Sequence, residues 1–165
     1  MPIYPIGFSI HKSKIVDNIP EKKRLLAPLI PGDLSTYIYN NETDYYNNYK
    51  ESLFGTTFKK AGWDCMRHYE ILACGCIPLF VDLDQCPKNT MTFLPKELIK
   101  SSNKVYHILR NYQSFEQISQ AEKDICNGYI RDLLQHTREK LTNEKMAQYI
   151  LDKVNLPNVK RILDR

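Results

Sequence analysis

The sequence predicts an α/β fold built on a parallel sheet, and three features of its centre carry that expectation. Residues 53–58 (LFGTTF) form a short apolar run suited to a buried strand. Residues 77–82 (IPLFVD) form a second, nearly continuous apolar run of the kind that parallel sheets bury on both faces. Between them Cys65, Met66, Tyr69, Leu72 and Ala73 recur at helical spacing, which predicts a helix from about Asp64 to Cys74 with its apolar stripe on the sheet. Asp64 is the expected N-cap, and Gly75 the expected stop, because a positive φ costs glycine least. Strand, glycine-containing turn (KKAGW, 59–63), helix, turn and strand within about 30 residues make a βαβ unit.

The flanking segments are read around this unit. Residues 2–10 (PIYPIGFSI) are expected to be short and extended, with Pro2 and Pro5 opposing a long strand. A charged turn follows around Glu21 to Arg24. Pro31-Gly32 marks another turn, and Leu34 to Tyr39 is β-rich. Asn41 starts a short polar helix with Asp44 in its first turn. Beyond the second apolar run, DQCPKNTMTFLP reads as a loop, followed by shorter helical pieces through Tyr112. Ser114 with Gln117 has the form of a capping box. Ile118, Ala121, Ile125, Tyr129 and Leu133 make a helical stripe, and a last helix covers about Asn143 to Val154. The expectation is a single domain over 1–165, in which 114–165 is a helical segment covering the sheet.

Bulk properties narrow the function classes. A chain of 165 residues suits one domain and buries roughly 70% of its unfolded surface, enough for a core without staples. The formal charge of +4 comes without any run of five like charges, so nucleic acid is not an expected partner. Five cysteines, an odd number without a disulfide framework, fit a reducing compartment. The N-terminal residues lack the pattern of a signal peptide, and no stretch of 18 apolar residues exists to span a membrane. A cytoplasmic protein is expected.

Candidate chemistry gathers at the central turn. The N-terminus of the helix after KKAGW offers free backbone N–H groups and the positive end of a helix dipole, which suit a phosphate. Lys59, Lys60 and Arg67 can add charge-assisted bonds there, or stand as ordinary solvated cations. Asp64, if it caps the helix, competes with a phosphate for the same donors. Arg67 and Glu70 stand three apart on the face away from the apolar stripe. They read either as a surface ion pair or as a phosphate ligand beside a carboxylate for vicinal ribose hydroxyls.

The segment GWDCMRHYEILACGCIPLFVDLDQCP, Gly62 to Pro87, resembles the donor-binding signature of exostosin-like and related GT-B glycosyltransferases. The family pattern is a strand, a glycine turn and a helix reading roughly R-x-x-E-A-L-A-x-G-C-I-P-V. Arg67, Glu70, Leu72, Ala73, Gly75, Cys76, Ile77 and Pro78 fill the matching positions, and Ile71 stands where a small residue is commoner. The resemblance implies a Rossmann-like domain, the C-terminal donor-nucleotide half of a GT-B architecture. It implies that Glu70 binds ribose and that Arg67, with Lys60 and the turn at Gly62, meets the diphosphate of a nucleotide sugar. The acceptor is then a glycan or other hydroxyl compound, no cofactor or metal is required, and a complementary N-terminal Rossmann-like half completes the enzyme. No catalytic base is named. Many retaining members carry a second glutamate eight positions before the ribose one; here that position is Gly62, so the stereochemical outcome stays open.

Other readings stand beside this one. Asp82-Leu83-Asp84 has the D-x-D form with which metal-dependent GT-A glycosyltransferases hold a divalent cation. A non-catalytic nucleotide-sugar-binding domain fits an isolated half, and an interaction module fits the helical C-terminus. Cys65, His68, Cys74, Cys76 and Cys86 lack the paired spacing of a zinc site, and buried packed thiols are the simpler reading. Cys65 with His68 lacks an orienting third group for nucleophilic chemistry. Trp63 beside the turn suits either stacking on a base or sugar, or packing.

Overall fold

The structure is a computed structural model, and it describes residues 4–154. Three parallel strands, β1 (Arg24–Leu26), β2 (Ser52–Thr57) and β3 (Ile77–Phe80), form a sheet in the order β1-β2-β3. Helix α1 (Glu42–Lys50) joins β1 to β2 and α2 (Met66–Ala73) joins β2 to β3; α3 (Lys96–Leu109), α4 (Gln120–Lys140) and α5 (Asn143–Val154) follow. The expected βαβ unit is present, with Phe54 opposite Ile77 and Thr57 opposite Phe80. The chain is therefore α/β with a parallel sheet flanked by helices, an arrangement compatible with a Rossmann-like fold.

All six residues of β2 are buried, because neighbours cover both its edges and helices cover both its faces. Successive side chains of a strand point to opposite faces. Phe54 meets Tyr106 of α3 at 5.2 Å between ring centroids, whereas a Cβ on Gly55 would lie 2.9 Å from Tyr49 of α1 and 3.3 Å from Ile71 of α2. Helices α1 and α2 thus share one face and α3 takes the other. Helix α4 packs against α2 and α3. Ile10 bridges to Thr142 beyond α4, which fixes the N-terminal segment across the layers. No helix among the described residues is long and apolar enough to cross a membrane.

Local signals set several boundaries. The Asn41 carboxamide oxygen accepts from Asp44 N at 2.9 Å, so α1 starts where its cap places it. Gly75 ends α2 with φ +62°, and any Cβ there would press on Val16 and Pro20 at 3.2 and 3.1 Å. The Lys22 ammonium donates to Lys50 O (2.7 Å) and Gly75 O (2.5 Å). One cation therefore serves the carbonyl ends of both crossover helices.

The outer edge of β3 is closed by side chains. Pro78 has no N–H to offer a further strand. The Asn103 carboxamide of α3 donates to Pro78 O (2.9 Å) and accepts from Phe80 N (3.1 Å), acting as a substitute peptide.

Five expectations are corrected. Asp64 does not cap α2: Cys65 is the N-cap, and the Asp64 carboxylate instead accepts from Phe8 N and Tyr69 Oη, both at 2.9 Å. Arg24, read as the end of a charged turn, begins β1, since its strand pairs with the buried β2. Leu34–Thr36 is a 3-10 turn rather than β structure, because Asp33 captures Ser35 N at 3.0 Å. The pieces expected before Tyr112 form the continuous α3, uninterrupted by glycine or proline. Ser114 heads a single 3-10 turn without a side-chain cap, and the capping box lies at Ser119 and Glu122. From that later start α4 buries Cys126, Ile130, Leu133, Leu134 and Thr137, leaving Ile125 of the expected stripe exposed.

Two expected outcomes follow from this packing. Gly55→Ala forces the Tyr49 ring off β2 and lowers unfolding free energy by about 1–3 kcal/mol, read by urea denaturation. Burial pushes the Lys22 ammonium down to about 8 from its ordinary 10.5, against the opposing influence of Cys76 and Cys74. Between those values the unfolded chain binds more protons than the folded one, so this group's contribution to stability rises with pH across that window. From pH 8 to pH 10 the parent should gain stability relative to Lys22→Met.

Candidate functional site

The carboxyl end of β2 leads through residues 58–65 to the first turn of α2, on the side of a parallel sheet where ligands bind in open α/β folds. No side chain caps α2, and its first turn contains no acidic residue. Helix α1, by contrast, is capped by Asn41 and carries Glu42 and Asp44 in its first turn. With Asp64 turned toward Phe8 and Tyr69, the competition it was expected to offer a phosphate is removed.

Arg67 and Glu70 are brought together on α2, but not as an ion pair with each other. Arg67 donates from Nη2 to Tyr37 Oη at 3.0 Å, and Glu70 Oε2 accepts from Tyr45 Oη at 2.7 Å. Their face, expected to be solvated, is partly covered by α1 and the loop after β1, and both residues are partly buried. Arg67 Nε is buried with no partner among the described residues. Burial opposes the Arg67 charge, but Tyr49, Tyr37 and Tyr45 outweigh it and hold the guanidinium above its ordinary pKa. The site therefore holds a permanent cation with an unsatisfied donor. Sequence spacing does not reveal the tyrosines, which come from other elements.

Lys59, Lys60 and Gly62 lie exposed in the connecting loop. Lys59 Nζ stands 5.5 Å from the centre of the Trp63 ring, so Trp63 is engaged by a cation. Gly62 is not required by sterics: nothing lies within 4 Å of a Cβ built there. At the D-x-D sequence, both Asp82 carboxylate oxygens accept from Lys59 N at 3.2 Å, and Asp84 pairs with Lys100 at 3.0 Å. No group of three or more His, Cys, Asp or Glu among the described residues is disposed to hold a metal ion. A cleft of about 630 Å³ lies elsewhere, between the end of β3 and α3, and includes Val81, Lys104 and His107.

Behind the site, His68 is fully buried and ties β2 to the loop. Its Nε2–H donates to Trp63 O at 2.8 Å, so Nδ1 accepts from the Thr57 hydroxyl at 2.9 Å. Cys65 Sγ lies 3.4 Å from the same Nε2, which is already committed to the carbonyl. Cys74 and Cys76 are buried thiols pushed up to about 12, chiefly by burial, and have the inert character expected of packed cysteines.

Burial pushes the His68 imidazole below its ordinary 6.5, against the opposing Trp63 carbonyl. The unfolded chain then binds more protons below pH 6.5, so stability is full above that pH and is lost as pH falls. Urea unfolding at pH 7.5 and 5.5 should show this loss in the parent and a smaller one in His68→Gln.

The sequence matches no family model and no curated protein, and the structure matches no solved structure.

Proposed function

We propose that this chain is the donor-nucleotide-binding half of a GT-B-type glycosyltransferase. In this reading a nucleoside-diphosphate sugar lies across the carboxyl edge of the sheet, and a complementary half presents a hydroxyl acceptor. The acceptor oxygen forms a bond to the anomeric carbon while the bond from that carbon to the diphosphate breaks. The leaving electron pair stays on the diphosphate, and the acceptor proton passes to a base of the complementary half. Arg67 and the N–H groups of α2 stabilise the departing charge, with Lys60 and the loop at Gly62 beside them. Glu70 accepts from the ribose hydroxyls.

The observation that carries this reading is the permanent Arg67 cation in the first turn of a helix whose N-terminus is uncapped and free of acidic residues. An anion at that end meets the positive end of the helix dipole and the arginine charge together. The positions of Asp82 and Asp84, held by Lys59 N and Lys100, favour this site over a cation bridging the D-x-D pair.

Calorimetry with uridine and guanosine nucleotides tests it. Glu70→Ala removes bonds worth roughly 1.5–3 kcal/mol and should weaken nucleoside and nucleoside diphosphate alike, about 10- to 150-fold. Arg67→Ala should weaken the diphosphates more than the nucleosides. Binding should persist in EDTA and survive Asp82→Ala with Asp84→Ala; loss on chelation with recovery in manganese would favour the D-x-D site. Normal folding of both α2 variants with unchanged binding would sink the assignment.

A further inference from the structure

The two charged residues of α2 are each held by a tyrosine from the preceding crossover, Tyr37 from its loop and Tyr45 from α1. The Tyr45 contact has the chemistry of an orienting bond. A phenol carries one hydrogen, and here it goes to Glu70 Oε2 at 2.7 Å, so Oε1 keeps its acceptor capacity. The Tyr45 ring is itself fixed, edge-on to Tyr49 at 5.4 Å and tilted against Tyr46 at 5.4 Å. Burial and the neighbouring Tyr49 and Glu70 raise the Tyr45 pKa, which keeps the phenol a donor across the neutral range.

We propose that Tyr45 is a positioning residue for Glu70: its hydroxyl holds one carboxylate oxygen so that the other meets the vicinal hydroxyls of a bound ribonucleoside. The inference rests on the nucleotide-binding reading of α2. A glutamate left to itself samples many rotamers, and binding must then meet the cost of fixing it. The bond from α1 meets that cost during folding. It also makes ribose recognition depend on the α1–α2 contact, rather than on α2 alone.

The test is Tyr45→Phe, which keeps the ring and removes only the hydroxyl, beside Glu70→Ala in the same full chain. Uridine and guanosine diphosphates serve as probes, each with its dideoxy analogue lacking both ribose hydroxyls, and thermal melting reports folding. The expected result is a 3- to 10-fold weakening of the ribonucleotides by Tyr45→Phe, on the order of one ordinary hydrogen bond and less than the loss on removing Glu70 itself. The dideoxy analogues, already weak for the parent, should bind both proteins equally. A merely structural role would weaken ribo and dideoxy forms alike, and that result overturns the proposal. So does a Tyr45→Phe protein that binds ribonucleotides like the parent while Glu70→Ala does not. If Glu70→Ala itself leaves ribonucleotide binding unchanged, the nucleotide reading of α2 fails, and the role of Tyr45 falls with it.

Discussion

The contact between the Tyr49 ring and Gly55 sets the spacing on which the α1–α2 face depends. Tyr49 is fully buried, and the missing Cβ at Gly55 lets its ring lie directly on the central strand. Any side chain at 55 would lift α1 from the sheet. One helical turn before Tyr49 stands Tyr45, on the same face of α1, so the height of α1 above β2 decides whether Tyr45 reaches Glu70. Ile71, the next residue on α2, also meets the space above Gly55, so both crossover helices are referred to a single glycine.

The two helices share ends as well as a face. Their carbonyl ends converge on the Lys22 ammonium, which therefore sits at the amino edge of the sheet. Their amino ends point the other way and are treated differently. Helix α1 neutralises its own positive end with Asn41, Glu42 and Asp44, whereas α2 has neither cap nor acid and adds an arginine instead. The arginine donates to Tyr37 and keeps its Nε unpartnered among the described residues. The first turn of α2 therefore carries uncompensated positive charge, a cost to folding that binding of an anion can offset.

Elements were legible in the sequence where the information was periodic or local. LFGTTF and IPLFVD betrayed buried parallel strands by being short and mostly apolar or β-branched, Gly75 betrayed the end of α2, and Asn41 betrayed the start of α1. Some failures were local, as where Asp33 caps the turn at Leu34 or Ser119 replaces Ser114 as the capping-box residue; others involve partners distant in sequence. Asp64 looks like an N-cap until Phe8 N and the Tyr69 hydroxyl, one of them 56 residues away, take its carboxylate. β1 is three residues long and too short for any period. Of the candidate site, the chain positions of Arg67 and Glu70 were readable. Their tyrosine partners, 30 and 25 residues upstream, were not, because hydrogen bonds between elements leave no spacing rule.

The sheet also treats its two kinds of boundary differently. At the lateral edge of β3, Pro78 removes a donor and the Asn103 carboxamide occupies the groups that a further strand would need. That edge is closed to extension. The carboxyl edge is left open: Tyr37, which reaches Arg67, Met66 after β2 and Val81 after β3 expose apolar surface there. Arg67 and Glu70 lie on α2, partly covered by α1 and the loop after β1, and not in the cleft between β3 and α3. An open edge of this kind grips a small ligand from one side only, whereas small-molecule sites commonly enclose most of their ligand. Under the proposed function the second wall belongs to the complementary half. The apolar residues around the carboxyl edge then lie where that half would close over the nucleotide.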